Sequence, residues 1–196
     1  MKGERKPFWN RVLEVSDVLV YSFDFEVFER PLGAEAYATE ASWLPAFVVP
    51  DAAVSVVGRN GMGSVYVLCE RGPMRCYLHI DAKGTVVRVG DSLEQVVSLV
   101  VALPYWPELL AQCTAGGLSA LREAAQRLEQ EVCEDLDQIP AARQELRAFL
   151  ELPEIADPVV HLYELAVEPP PVTVSSPHGW RYESLAEAAA HRRASL

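Results

Sequence analysis

The feature that most constrains the fold is the stretch 58–103, in which short alternating runs are separated by glycine turns. Apolar and polar side chains alternate along residues 65–69 and again along 74–81, and a third run, TVVRVG, follows. Each of the turns between the runs contains a glycine. Period-two alternation between such turns predicts an antiparallel meander over about 64–90, with one buried face.

A helix is predicted directly after the meander. Asp91 and Ser92 are both N-cap residue types, and Glu94 and Gln95 follow three residues after each as capping-box partners. Apolar residues then recur at helical spacing as far as Leu103, which gives the helix a face that can cover the sheet. The sequence therefore predicts an α+β fold with a mostly antiparallel sheet covered by helices.

Less regular structure is predicted before this stretch. Residues 8–29 are amphipathic and are expected to form a short helix followed by a first strand, which begins within the alternating aromatic run VLVYSFDF. Prolines and a glycine interrupt residues 31–51, so regular structure there is expected to be short. Trp43, Leu44 and Phe47 are expected to cover the core from a loop or a brief helix, with a ligand shelf as the alternative.

Beyond Pro104 the periodicity becomes helical. Apolar residues recur at steps of three and four over 118–136, which predicts an amphipathic helix. Glu123, Arg127 and Glu131 are expected along its solvent side at a spacing of four.

Two more helices are predicted after it. One covers 142–150, with Leu146, Phe149 and Leu150 facing inward. The other begins at an Asp-Pro pair at 157–158, where the aspartate is the expected N-cap and the proline occupies the first helical position.

These patterns divide the chain into three predicted units. Residues 1–110 form the α+β core, 111–168 form a helical extension packed on it, and 169–196 form a proline-rich spacer with a short C-terminal segment. The last unit contains the motif HGWRY at 178–182 and a final helix from Glu183.

Composition and charge limit the classes of partner. The chain has 196 residues, of which 50% are hydrophobic, enough for a substantial core. The formal net charge is −11, and 15 acidic but only 7 basic residues follow residue 103. Nucleic acids and anionic membranes both need a basic face, so this charge argues against binding either. It suits a protein partner with a basic surface, although plain solubility is the alternative explanation.

The sequence shows no sign of export or membrane insertion. The basic start MKGERKPFW lacks the apolar region of a signal peptide, and the longest apolar run, Val96 to Leu103, is too short to span a bilayer. The four cysteines have no disulfide-scaffold spacing, which is typical of a reducing compartment. The predicted location is cytoplasmic.

No motif predicts a cofactor or metal site. GRNGMG at 58–63 lacks the GK[ST] ending of a phosphate loop and precedes a strand, so it is interpreted as a turn that needs positive φ. Cys69, Cys76 and His79 suggest a metal site only weakly, because a second ligand pair is missing. The cysteines are predicted to be buried in the core, and His79 is predicted to be exposed on the polar phase of its strand.

Catalysis is not predicted either. The sequence has no G-x-S-x-G elbow, and His79, His161, His178 and His191 lie in unrelated contexts. The chain is therefore predicted not to be an enzyme.

Two acidic sets are candidate docking surfaces for a basic partner, with a solvated face as the alternative. The larger set lies at the end of the 118–136 helix and comprises Glu129, Glu131, Glu134, Asp135 and Asp137. The smaller set comprises Asp24, Glu26 and Glu29.

Residues 54–103 resemble the SUKH superfamily, which includes a fungal regulator of cell-wall synthesis and bacterial immunity proteins. The resemblance is carried by the loop GRNGMG, the strand VYVL at 65–68, the acidic-glycine turn DAKG at 81–84 and the helix opening DSLEQVV at 91–97. Val96 or Val97 stands where the family usually has phenylalanine. The segment LPYWPELL at 103–110 is similar to bacterial members with helical C-terminal extensions.

The resemblance implies a sheet wrapped by helices, no catalytic residues, and a face that binds a partner protein. In an immunity protein that face occludes the active site of a toxin, often a basic nuclease, in the cytoplasm of the producing cell. A regulatory or scaffold module with the same fold is the alternative function, and a hydrolase with an unrecognised site is a remote one.

Overall fold

The computed structural model describes residues 6–40, 45–113 and 116–194, apart from the side chains of Glu40, Ala111, Asp135, Ala189 and residues 192–194. Its strands are β1 (Glu26–Gly33), β2 (Ala53–Arg59), β3 (Val65–Arg71), β4 (Met74–Ile80), β5 (Thr85–Gly90) and β6 (Glu183–Ser184). Its helices are α1 (Phe8–Glu14), α2 (Ser16–Phe23), α3 (Ala34–Glu40), α4 (Leu93–Ala102), α5 (Trp106–Cys113), α6 (Gly117–Asp135), α7 (Ile139–Leu150), α8 (Pro158–Val167) and α9 (Leu185–Ala194).

The strands form one sheet in the order β1-β2-β3-β4-β5-β6. Neighbours from β1 to β5 are antiparallel, whereas the short β6 pairs with β5 in parallel. The predicted α+β class and the meander of β3, β4 and β5 are confirmed. Strand β2, which the sequence pattern does not predict, extends the meander before β3 and includes the first two residues of GRNGMG.

Both faces of the sheet are buried, so the prediction of one buried face is wrong. Tyr66 and Leu68 point into a large core shared with the helices, whereas their neighbours Val65 and Val67 point into a smaller core on the opposite side. Alternation in this sheet therefore separates two apolar cores instead of a core from solvent.

The large core unites the sheet with the helical layer. Leu121 on α6, Leu146 and Leu150 on α7 and Leu162 on α8 are all buried in the same cluster as Tyr66. The predicted 118–136 helix is confirmed as α6. The inward orientation predicted for Phe149 is wrong, because this side chain is 46% exposed.

The N-terminal part differs from the prediction. The run expected to begin the first strand forms α2 instead, and β1 begins only at Glu26. Leu19 and Phe23 are four residues apart and both buried, whereas Tyr21 between them is 82% exposed, so helical spacing determines burial here. Trp43 and Leu44 lie outside the described residues. Phe47 packs against Tyr37 in the small core.

Two predicted N-caps, Ser92 of α4 and Asp157 of α8, are confirmed. The Ser92 side chain accepts a hydrogen bond from the Gln95 backbone N–H at the start of α4. The Asp157 side chain accepts one from the Val160 N–H at the start of α8, where Pro158 occupies the first turn. These caps satisfy donors that the helix itself leaves unpaired.

Two glycines of the segment 58–63, Gly58 and Gly63, meet different structural requirements. Gly63 has φ of +79°, as the turn interpretation predicts. Gly58 lies inside β2, and a Cβ added there would stand 2.4 Å from the Glu26 carbonyl oxygen of β1. The positive-φ interpretation is therefore wrong for Gly58, because close contact between two strands excludes a side chain there.

The C-terminal segment covers the second face of the sheet. Val172 and Val174 are buried in the small core, and the Tyr182 hydroxyl donates to the Ala46 carbonyl oxygen at 2.6 Å. The backbone returns on itself at Ser175 and Arg181, which pair in antiparallel fashion. The final helix begins at Leu185, two residues later than predicted.

Candidate functional site

The larger acidic set is divided between an internal contact and an exposed surface. Glu129 accepts two hydrogen bonds from Arg143 on α7, at 2.8 and 3.1 Å, and a third from the Tyr105 hydroxyl at 2.9 Å. Burial alone would raise the pKa of Glu129, but the hydrogen bonds and charge of Arg143 lower it below its ordinary value. Glu129 thus stabilises the packing of the helices, and its role as a docking residue stays a prediction.

The exposed remainder, which we call the α6 acidic end, comprises Glu131, Glu134 and Asp137. Glu131 lies 3.9 Å from Arg127, and Glu134 accepts a hydrogen bond from Gln130. In the part of the chain that the structure describes, no cation pairs with Glu134 or Asp137. The side chain of Asp135 lies outside the described residues.

An apolar side chain lies in the same surface. Leu136 follows α6 directly, stands between the acidic positions, and is 38% exposed. An apolar centre with a charged rim is the usual composition of a protein–protein interface. This arrangement makes the α6 acidic end the better docking candidate of the two acidic sets.

The smaller acidic set forms a corner between α2 and β1. Asp24 ends α2 in a left-handed conformation, and its carboxylate accepts a hydrogen bond from the Gly61 N–H at 2.7 Å. Glu26 forms a bidentate pair with Arg59 across the β1–β2 ladder, at 2.6 and 3.1 Å. Glu29 is exposed. Asp24 therefore stabilises the β2–β3 turn, and Glu26 stabilises the pairing of the edge strand β1 with β2.

The structure does not bring the two acidic sets together. One lies at the end of α6 and the other at the junction of α2 with β1. No hydrogen bond or ion pair of the described residues joins a member of one set to a member of the other. They are separate surfaces.

The prediction that His79 is exposed is wrong. This side chain is 2% exposed and lies between two aromatic rings, with centroids 5.3 Å from Tyr66 and 4.6 Å from Trp106. Its Nε2 has no hydrogen-bond partner within the described residues. Burial lowers the pKa of His79 to about 4, so the ring is neutral at physiological pH. Helix α5 causes this burial, since it supplies Trp106 on a face that the strand pattern alone assigns to solvent.

The cysteine predictions are confirmed. Cys69 and Cys76 lie directly opposite each other on β3 and β4 and are both buried in the small core. Across residues 6–40, 45–113 and 116–194, no three His, Cys, Asp or Glu side chains are grouped so as to hold a metal ion.

His161 and the nearby Ser98 hydroxyl do not form a nucleophile–base pair in this structure. His161 on α8 and Ser98 on α4 line the same groove, a proximity that the sequence does not indicate because 62 residues separate them. No hydrogen bond of the described residues joins the two side chains, and the Ser98 hydroxyl is buried. A nucleophile needs a base within hydrogen-bond reach, and this pair lacks that contact.

Among the described residues, every helix is too short or too polar to cross a bilayer. Comparisons of the chain with protein-family models, with curated proteins and with solved structures each found no match.

Proposed function

We propose that this protein is a non-catalytic binding protein of the cytoplasm, and specifically an immunity protein that binds and neutralises a bacterial toxin with a basic surface. The observation that carries the proposal is the α6 acidic end. It presents Glu134 and Asp137 to solvent without a cation partner among the described residues, beside the half-exposed Leu136.

The electrostatics favour a basic partner. Residues 1–103, which we call the sheet half, contain 13 acidic and 10 basic residues, so most of their charges are balanced. Residues 104–196 contain 15 acidic and only 7 basic residues. An excess of one sign on one part of a surface accelerates encounter with a partner of the opposite sign. The resemblance of residues 54–103 to the SUKH superfamily adds the expectation that this partner is a toxin.

The packing determines how the proposal has to be tested. A truncation after residue 117 would remove Leu121, Leu146 and Leu162 from the large core and Val172 from the small one. The remaining sheet would lose apolar contacts on both faces, so such a truncation tests folding and not binding. Surface substitutions in the full-length chain are the appropriate variants.

The proposal predicts a toxin-like gene adjacent to the gene of this chain. The test is to co-express the product of such a gene with the full-length chain and to purify the chain by affinity. We expect a stable complex whose association slows as salt rises, because steering by surface charge is screened. The double variant E134K/D137K should weaken it at least about tenfold. The matched control E70K/E94K changes two carboxylates of the sheet half and should bind as the wild type does.

The regulatory or scaffold alternative predicts a different partner on the same surface. Capture of a housekeeping protein, with the same sensitivity to E134K/D137K and no effect on toxicity, would favour that alternative. Failure to capture any partner would contradict both functions.

A further inference from the structure

A groove of about 440 Å³ lies between α4, the segment 153–157 and α8. Its walls include Pro153, Ile155 and Val160, and three carboxylates, those of Glu154, Asp157 and Glu164, also line it. Apolar walls combined with carboxylates suit a long side chain that has an aliphatic stem and a cationic head. The groove lies near the start of α8, apart from the α6 acidic end.

Ser98 gives the groove an unsatisfied polar group. Its side chain is 3% exposed, and within the described residues its hydroxyl has no hydrogen-bond partner. A serine inside a helix ordinarily bonds to the carbonyl oxygen four residues earlier, which leaves it little capacity for a ligand. A buried hydroxyl without that bond is costly to the fold, and a donor placed in the groove would relieve this cost.

The charges of the groove are only partly balanced. Asp157 is paired with Arg122 at 2.7 Å and also caps α8. Arg88, which lies close enough to His161 to affect its pKa, is itself held by Asp91 and Glu168. No ion pair of the described residues involves Glu154 or Glu164, so these two carboxylates remain for a ligand.

His161 adds an acceptor to the same wall. Burial lowers the pKa of His161, although the nearby Glu164 opposes the shift and Arg88 adds to it. The ring is therefore neutral at pH 7, and a neutral imidazole always has one nitrogen that accepts a hydrogen bond. The groove offers carboxylate, hydroxyl and imidazole acceptors around an apolar channel.

We infer that this groove binds a guanidinium group, the side chain of an arginine from the protein partner. A guanidinium has five donors in a planar fork and matches several acceptors at once, which a single ammonium does less well. The inference rests on the proposed function for the source of the arginine, but the groove itself is testable without the partner.

The test uses the ¹⁵N-labelled full-length chain and the probe peptide acetyl-Gly-Arg-Gly-amide, followed by NMR. Addition of the peptide is expected to shift the signals of residues 154–164 and the ring signals of His161 in a saturable manner. The same peptide with citrulline, a neutral analogue of nearly identical shape, should bind at least about tenfold more weakly, because the charge-assisted hydrogen bonds are lost.

Matched variants test whether peptide binding depends on this groove or on the acidity of the surface in general. E164Q should weaken arginine-peptide binding roughly tenfold, whereas E145Q, on the exposed side of α7, should leave it unchanged. S98A should also weaken binding while the Tm stays the same or rises, since it removes an unsatisfied buried hydroxyl. A purely structural role of Ser98 would instead lower the Tm and leave peptide binding intact, and this would overturn its assignment as a ligand.

Two further results would overturn the inference. One is equal binding of the arginine and citrulline peptides, and the other is equal effects of E164Q and E145Q. If the E154Q/E164Q double variant captures and neutralises the toxin as well as the wild type does, the groove assignment fails and the proposed function stands. If the arginine peptide occupies the groove but no toxin is captured, the proposed function fails and the groove assignment stands.

Discussion

Arg143 on α7 donates two hydrogen bonds, of 2.8 and 3.1 Å, to the carboxylate of Glu129 on α6. The Nε of Arg143 also donates to the Val101 carbonyl oxygen at 3.0 Å, and the Tyr105 hydroxyl donates to Glu129. One pair of side chains thus connects α6 and α7 to the end of α4 and to the segment that leads into α5. Bidentate arginine–carboxylate pairs combine strength with fixed geometry.

The first prediction concerns this pair. Glu129→Gln removes the charge and one acceptor from Arg143, whose side chain is mostly buried. We expect a loss of about 1–2 kcal/mol in the free energy of unfolding, because Arg143 keeps its other contacts and Glu129 is partly open to solvent. Urea denaturation measures this loss.

Glu131→Gln is the matched control, two residues away on the same helix. Its contact with Arg127 is long and exposed, so the change in unfolding free energy should stay within about 0.5 kcal/mol. Equal losses in the two variants would contradict the account of the Glu129–Arg143 pair.

A second prediction tests the close contact between β1 and β2. Gly58→Ala places a Cβ 2.4 Å from the Glu26 carbonyl oxygen, so the strands must separate. We expect the free energy of unfolding to fall by about 2–3 kcal/mol.

Gly33→Ala serves as its control, since a Cβ at Gly33 would meet no atom within 4 Å. That substitution should change stability by less than about 0.5 kcal/mol. If Gly58→Ala were as harmless as Gly33→Ala, the close contact would not be what requires glycine at position 58.

A third prediction concerns the pH dependence of stability. The pKa of His79 falls from 6.5 to about 4 on folding because burial disfavours the charged ring, while Asp81 opposes the shift. The unfolded chain therefore binds a proton near pH 6.5 that the folded chain binds only near pH 4. The neutral His79 ring therefore costs the fold nothing well above pH 6.5. As the pH falls, the free energy of unfolding decreases, by about 2 kcal/mol at pH 5.

The variant His79→Phe keeps an aromatic ring beside Tyr66 and Trp106 but cannot titrate. Urea denaturation at several values between pH 8 and 5 should show a flatter pH dependence than in the wild type. His178→Gln, on an exposed turn of the C-terminal segment, should keep the wild-type slope. Identical slopes in the wild type and His79→Phe would show that His79 stays accessible to protons in the folded chain.

The sequence predicts the fold wherever local signals and tertiary packing agree. The β3–β5 meander, the Ser92 cap of α4 and the Asp157 cap of α8 follow from periodicity and capping chemistry, which act over a few residues. Prediction fails where an element distant in the sequence determines whether a side chain is buried or exposed. Trp106 buries His79, and two cores make alternation along β3 uninformative about exposure.

The candidate surfaces are less predictable than the fold for the same reason. The sequence gives the positions of the acidic residues, but it does not indicate that Glu129 pairs with Arg143 or that Glu26 pairs with Arg59. Ser98 and His161 line one groove only because α8 packs beside α4, and nothing within either segment indicates it. The SUKH resemblance of residues 54–103 stays a prediction, as does the division of the chain into three units.

The most direct test of the central claim is growth rescue in a bacterial host. The adjacent toxin-like gene that the proposal predicts would be induced alone, together with the wild-type chain, and together with the E134K/D137K variant at matched protein level. The account predicts that the wild-type chain restores growth and that the variant restores it poorly or not at all. Growth arrest that the wild-type chain leaves unchanged would contradict the immunity function.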